Sequence, residues 1–277
     1  MHYPFVAMHV QPRALESRPL GLRALAERLL PKGGLDVARQ IALFGAAYLC
    51  YSVIRGMAEV QTTVAFDHTR DVIQLERALH IFVEPSIQAW AMGSHVLIDV
   101  SSWLYVNAQT TVTLAALIYI YLRHNRSFYF VRNMLMISMV IALAGYALFP
   151  TAPPRFMPEW GFVDTVASFT GVHVEHTSHS MSALFNPYAA VPSMHVAFAM
   201  MIGWRLVGLV KQRIVKVAWA IYPFLIAFVI IATANHFIFD ALLGAVTAGI
   251  SAFLAQRLAR FGPVAWRLSP STAEARP

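Results

Sequence analysis

The stretch His236-Phe-Ile-Phe-Asp-Ala-Leu-Leu-Gly-Ala-Val-Thr-Ala-Gly-Ile-Ser-Ala-Phe-Leu-Ala-Gln-Arg-Leu258 is an apolar run with a histidine and an aspartate at its head. A helix that crosses a bilayer needs about 20 mostly apolar residues, and this stretch meets that length. An ionisable residue at the entrance to such a span is a functional candidate by default. His236 and Asp240 stand four apart, so they share one helix face.

Working outward, five further segments have the same character: residues 37–60, 103–122, 128–150, 191–210 and 215–234. Only 13% of the 277 residues are charged and 58% are hydrophobic, against about 25% charged in soluble domains. The mean hydropathy is +0.56. The expected fold is therefore all-α: a polytopic membrane protein with a six-transmembrane-helix bundle. Residues 1–36 are expected to form a cytoplasmic N-terminal segment, with an amphipathic surface helix over 19–30. Residues 37–258 are expected to form a six-helix membrane domain, the part of the chain able to carry a catalytic site, with outer loops at 61–94 and 151–191, and residues 259–277 a cytoplasmic tail. The first 36 residues mix charges with leucines and lack the uninterrupted apolar core of a signal peptide. Arg39, Gln40 and Arg132 lie near span ends, where Arg39 and Gln40 can snorkel.

The formal charge of +7 does not point to nucleic acid, because its distribution has another explanation. With the N-terminus inside, only Arg55, Arg70, Arg77 and Arg155 of the 21 Lys and Arg residues fall outside. Cytoplasmic loops collect basic residues, so both termini are expected to be cytoplasmic and the localisation to be a bacterial plasma membrane. The one cysteine, Cys50, excludes a disulfide framework. In the outer segment 61–94, residues Ile73–Val83 carry apolar positions at helical spacing and predict an interfacial amphipathic helix.

This orientation gathers three elements at the outer edge. The third span ends in Pro150-Thr-Ala-Pro-Pro-Arg155. The fourth begins at Pro192-Ser193-Met194-His195. The fifth hands over to the sixth at Asn235-His236, with Asp240 one turn on. Asp240 can accept a hydrogen bond from one His236 nitrogen, fix the tautomer and leave the other nitrogen to attack phosphorus. His195 can protonate the leaving oxygen. Amides around Ser193 and Met194, at the start of a helix, suit a phosphate, and Arg155 suits its oxygens as a bidentate cation. Asn186, Tyr188 and Asn235 flank these motifs as further expected substrate contacts. A zinc site from His195, His236 and Asp240 is chemically possible, but no standard signature supports it. His173, His176 and His179 match no standard ligand spacing. No metal and no cofactor are expected.

At these residues the chain resembles the type 2 phosphatidic acid phosphatase superfamily, and most closely its branch related to inositol phosphorylceramide synthase. The motifs of that superfamily are Lys-x6-Arg-Pro, Pro-Ser-x-His and Ser-Arg-x5-His-x3-Asp. Pro192, Ser193 and His195 match the second; His236 and Asp240 match the third; Arg155 is the candidate from the first. The stretches 152–155 and 186–195 resemble the inositol-synthase-like branch. The resemblance implies His236 as nucleophile, Asp240 as its partner, His195 as general acid, no metal, and an extracytoplasmic site acting on a membrane lipid with a phosphate or phosphodiester headgroup. Leu148 stands at the motif lysine, Phe156 at its proline, Ile230 at the motif arginine and Val229 at the preceding serine. With two cations missing, Arg70 or Arg77 is a candidate replacement. The expected function is lipid phosphatase or headgroup phosphotransferase through phosphohistidine. The alternative is a transporter or lipid-binding subunit that uses the histidines as a proton relay.

Overall fold

The structure, a computed structural model, describes residues 30–57, 62–171 and 188–261. The expected surface helix over 19–30, Asn186, the three histidines of 173–179 and the tail beyond 261 lie outside the described residues, Leu30 excepted. Nine α-helices are described: α1 (Gly33–Met57), α2 (Thr62–Ala78), α3 (Glu84–Met92), α4 (His95–Arg123), α5 (Asn125–Leu148), α6 (Thr165–Thr170), α7 (Met194–Leu209), α8 (Arg213–Ala232) and α9 (Ile238–Phe261). No strand occurs among the described residues; one parallel bridge joins Thr151 to Ala189.

Five helices, α1, α4, α5, α8 and α9, are long and apolar enough to cross a membrane. Large apolar side chains face outward, including Phe224, Trp204, Val140 and Leu242. Such an apolar exterior suits lipid, and helices alone satisfy their own backbone groups there. The chain is thus an integral membrane protein with five candidate spans among the described residues.

The segment expected to be the fourth span is the exception. Its helix, α7, has 16 residues and a length of about 24 Å, short of the spanning length. The residues before it are held extended, with Ser193 at φ −68 and ψ 110. The helix is instead the centre of the bundle and packs against α4, α5, α8 and α9. Nine of its residues, among them Ala197, Met201, Ile202 and Leu206, are buried. Surrounded by other helices, α7 needs apolar character without needing bilayer length.

The segment 61–94 also differs from expectation. The predicted continuous helix over 73–83 stops at Ala78. His80 takes a left-handed conformation with φ 60. The Ile81 amide then donates to the Glu76 carbonyl (2.9 Å) and the His80 amide to that of Arg77 (3.1 Å), a Schellman stop. Pro85 opens α3 in the first turn, where proline costs no hydrogen bond. One face of α2, made by Ala65, Thr69, Val72, Ile73 and Glu76, is buried. Thr69 holds Ala152 through both its amide and its carbonyl, each at 3.0 Å. α2 therefore backs the loop after α5.

At the other end of α5, Gln40 does not snorkel. It is buried and accepts a hydrogen bond from Arg132, which is only 2% exposed and also donates twice to Asn133. Asp36 accepts from Tyr121 and Tyr129, each at 2.8 Å. A buried cation persists only when its donors are satisfied in this way. This polar cluster ties α1 to α4 and α5 at the end opposite the two histidine motifs.

Candidate active site

The two histidine motifs are joined by their backbones. The Ser193 amide donates to the Asp240 carbonyl at 3.1 Å, so the turn before α7 is fastened to the first turn of α9. This close approach depends on two glycines. A Cβ on Gly244 of α9 would lie 2.4 Å from the Ser193 carbonyl oxygen. A Cβ on Gly145 of α5 would lie 2.6 Å from the Pro192 ring and 2.9 Å from the Val191 oxygen. Pro192 and Ser193 are thus wedged between two helices at positions where neither has a side chain.

A second Schellman stop delivers His236. Ala234 adopts φ 50, and the Asn235 and Ala234 amides return to the Ile230 and Ile231 carbonyls, both at 2.9 Å. The chain then turns directly into α9. His236 is buried, with Nδ1 3.2 Å from Asp240 Oδ2, and the same oxygen accepts the Phe237 amide at 3.0 Å. Burial, aided by the Arg155 charge and only partly opposed by the Ala190 carbonyl, lowers the His236 imidazole from 6.5 to about 3. The ring is therefore neutral. With Nδ1–H donated to Asp240, Nε2 carries the lone pair.

Two glutamates that sequence reasoning missed complete the start of α9. Glu84 Oε1 accepts the Ile238 amide at 2.9 Å and Glu76 Oε1 accepts the Phe239 amide at 2.7 Å. Together with Asp240 they satisfy three first-turn amides at the positive end of the helix. The available signal was Glu76 lying on the same face as Val72 and Ile73, where an amphipathic pattern puts no charge. Burial first, then the hydrogen bond and charge of Glu84, raise the Glu76 carboxyl from 4.5 to about 9. Between those two values the unfolded chain has released a proton that the folded one keeps, so stability falls as pH rises. Glu76→Gln keeps the acceptor and removes the titration. Thermal unfolding in detergent should show the wild type losing stability from about pH 5 to 9, by at most about 1.4 kcal/mol per pH unit, and a flatter profile in the variant. Equal slopes in the two proteins would show that Glu76 does not titrate in this window.

His195, in the first turn of α7, stacks on the Tyr105 ring with centroids 4.6 Å apart. Its Nε2 lies 3.2 Å from the Tyr105 carbonyl. A carbonyl only accepts, so Nε2–H donates there and Nδ1 is left for proton exchange. The His195 and His236 rings meet edge to face, 5.8 Å between centroids. Both line one cavity of about 80 Å³ with Met194, Arg155, Asn235, Pro153, Ala189 and Ala190. A cavity of this size holds more than a single water, so the space can admit a small tetrahedral oxyanion.

Arg155 reaches the cavity from a 3₁₀ turn, Pro154–Phe156. Its amide donates to the Ala234 carbonyl at 2.8 Å. Its guanidinium donates to Asn235 Oδ1 and lies 3.4 Å from Asp164. Asn235 is in turn held by Thr233, donating to its hydroxyl at 2.8 Å and its carbonyl at 3.1 Å. Asn235 therefore aims Arg155 as well as lining the cavity.

Other expected contacts fall elsewhere. Ser193 is buried and does not line the cavity, and its amide is committed to Asp240 rather than to a ligand. Tyr188 packs against Phe66 and Phe156 outside the lining. Arg70 pairs with Asp67 at the exposed surface, and Arg77 lies over the Trp160 ring; neither lines the cavity. The cavity has instead a wall that sequence reasoning missed: Tyr51 and Arg55 from α1, Tyr105 and Gln109 from α4, and Tyr146 from α5. Among the described residues, no three His, Cys, Asp or Glu side chains converge as a metal-ligand set.

The arrangement joins a neutral, oriented imidazole to a second imidazole and a guanidinium around an oxyanion-sized space. Such a set can bind a tetrahedral phosphate, attack it and move a proton. The family described as the PAP2 superfamily matches residues 70–254, about two thirds of the chain. No curated protein matches the chain, and no solved structure does.

Proposed function

The chain belongs to the PAP2 superfamily, whose members are generally phosphatases or phosphotransferases, and on that premise we propose that it is a membrane lipid phosphatase or headgroup phosphotransferase working through phosphohistidine. The observation that carries this reading is His236, with Nδ1 against Asp240, sharing a cavity with His195 and Arg155. In the first half-reaction the Nε2 lone pair attacks phosphorus and the bond from phosphorus to the leaving oxygen breaks. His195, as imidazolium, gives its proton to that oxygen. In the second, water or an alcohol attacks the phosphorus and gives its proton to His195, and the phosphorus–nitrogen bond breaks with its electrons returning to Nε2. Asp240 holds the ring and stabilises the charge it gains. Arg155 binds the phosphoryl oxygens, and Met194 and Asn235 close the cavity beside them.

The substrate is a lipid-linked phosphate or phosphodiester in the bilayer, and the inositol-synthase-like motif stretches favour transfer of a phosphoinositol-type headgroup. Residues 37–258 form the catalytic domain. The distribution of basic residues supports cytoplasmic termini, an extracytoplasmic site and α2 at the outer interface, in a bacterial plasma membrane. The test is incubation of the purified protein with lipid phosphate monoesters and phosphodiesters. Released inorganic phosphate marks a phosphatase, and an exchanged headgroup marks a transferase. Vanadate, which mimics the five-coordinate phosphorus, should inhibit either reaction. Failure to turn over any substrate, with no vanadate binding, would return the protein to a transport or lipid-binding role.

A further inference from the structure

We propose that a second cavity, at the end of the bundle opposite the histidine motifs, binds the phosphate headgroup of an anionic membrane phospholipid through Arg123 and Lys211. The proposal stands apart from the phosphotransfer reading above. The cavity measures about 480 Å³, inside the range of about 300–1,000 Å³ that ligand sites occupy. It opens where three helix ends meet. Tyr119 and Arg123 come from the last turns of α4, Leu209 from the end of α7, and Gln212 and Val215 from the start of α8. From Gln109, in the wall of the reaction cavity, to Arg123 the helix α4 rises about 21 Å, so the two cavities are distinct.

The charge at this end calls for an anion. Residues 121–132 and 205–217 contain Arg123, Arg126, Arg132, Arg205, Lys211, Arg213 and Lys216, and no Asp or Glu. Arg132 is turned inward to Gln40 and Asn133, and Arg205 donates to Ser127 at 2.7 Å. Arg123 and Lys211 instead stand exposed at the rim of the cavity. Among the described residues neither is in an ion pair. Asp36, at the same end of the bundle, is engaged by Tyr121, Tyr129 and Gln40. No side chain caps the start of α8 at Gln212, so the positive end of that helix adds to the attraction.

The rest of the wall selects an amphiphile over a soluble anion. Leu209, Val210 and Val215 give the cavity an apolar side. On the same two helices, Ile118 and Leu122 of α4 and Ile214 and Val217 of α8 are exposed, a surface suited to acyl chains. The cations stand where the apolar helices end, which is the level of the headgroups in a bilayer. A free phosphate would use the cations alone; a phospholipid uses both halves of the site. Basic pockets between membrane helices bind anionic headgroups by this combination.

The test is native mass spectrometry of the full chain released from micelles doped with phosphatidylglycerol or with phosphatidylcholine of the same acyl chains. The reading is the number of lipids retained, so a phosphatidylglycerol held in the reaction cavity is counted separately. Where wild type is saturated, Arg123→Gln/Lys211→Gln should carry one phosphatidylglycerol fewer, with binding about 30-fold weaker, as two cations at a membrane surface would give. Its retention of phosphatidylcholine should not change. Arg123→Lys/Lys211→Arg, which keeps both charges, should match wild type. So should Arg257→Gln, which removes an exposed cation of α9 outside the cavity. Should the double glutamine variant fail to fold, Arg123→Gln and Lys211→Gln singly should each weaken that phosphatidylglycerol by about 5-fold. Millimolar glycerol 3-phosphate should leave the lipid in place. An unchanged count in the glutamine variants overturns the site. An equal loss in Arg257→Gln reduces it to diffuse surface charge and overturns it as well. Equal loss of phosphatidylcholine overturns the role of the headgroup charge, and displacement by glycerol 3-phosphate overturns the lipid as its occupant.

Discussion

His236→Ala should lose turnover by at least about 10⁴-fold, the scale on which removal of a covalent nucleophile acts. The reason is geometric. Asp240 Oδ2 lies against Nδ1 and fixes which nitrogen carries the proton, so only Nε2 can attack. Burial already keeps the ring unprotonated, so the nucleophile survives into mildly acidic conditions, and the acid side of a pH–rate profile should not follow a His236 titration near 6.5. The direct measurement is trapping of the intermediate. Wild type mixed with substrate and quenched in base should carry a phosphoryl adduct that acid removes, as a phosphorus–nitrogen bond does. His236→Ala should carry none. Asp240→Asn should form the adduct slowly, because the amide can hold the ring but supplies no charge to the developing imidazolium. An adduct in His236→Ala, or one stable to acid in wild type, removes His236 from the role of nucleophile.

Gly244→Ala should destabilise the protein and lower kcat together. A Cβ there would sit 2.4 Å from the Ser193 carbonyl oxygen and 3.3 Å from the Val196 side chain. The carbonyl belongs to backbone that is itself fastened to Asp240 through the Ser193 amide, so it cannot yield without moving the start of α7. Overpacking of this kind costs about 1–3 kcal/mol, more than the gain of about 1 kcal/mol from replacing a helical glycine. Any shift of Ser193 is passed two residues on to His195. Gly249, one and a half turns further along α9, has nothing within 4 Å of its added Cβ. Gly249→Ala should therefore raise stability, by up to about 1 kcal/mol, and leave kcat unchanged. Thermal unfolding and kinetics of the two variants side by side decide the matter: if both alanines behave alike, contact with Ser193 is not what requires Gly244.

Features that depend on neighbours along the chain are written in the order of residues alone. Apolar segments of spanning length announce membrane helices because hydropathy is a local sum, and five of the six expected spans are realised at that length. His236 and Asp240 were legible as a pair because four residues of helix place them on one face, and the structure brings them within 3.2 Å. Tertiary packing decided the rest. It made α7 a short central helix, because four neighbours bury it and lipid does not set its length. It broke the predicted helix 73–83 at a left-handed His80, whose conformation no hydropathy pattern encodes. It turned Glu76 and Glu84 inward onto the amides of a helix more than 150 residues away, and it paired Gln40 with Arg132 between two spans. Most consequentially for the site, it carried Arg55 and Tyr51 from α1 to the wall that faces Arg155. Charge, tautomer and cavity shape depend on which side chains converge in space, and convergence across helices has no period in the sequence from which to read it.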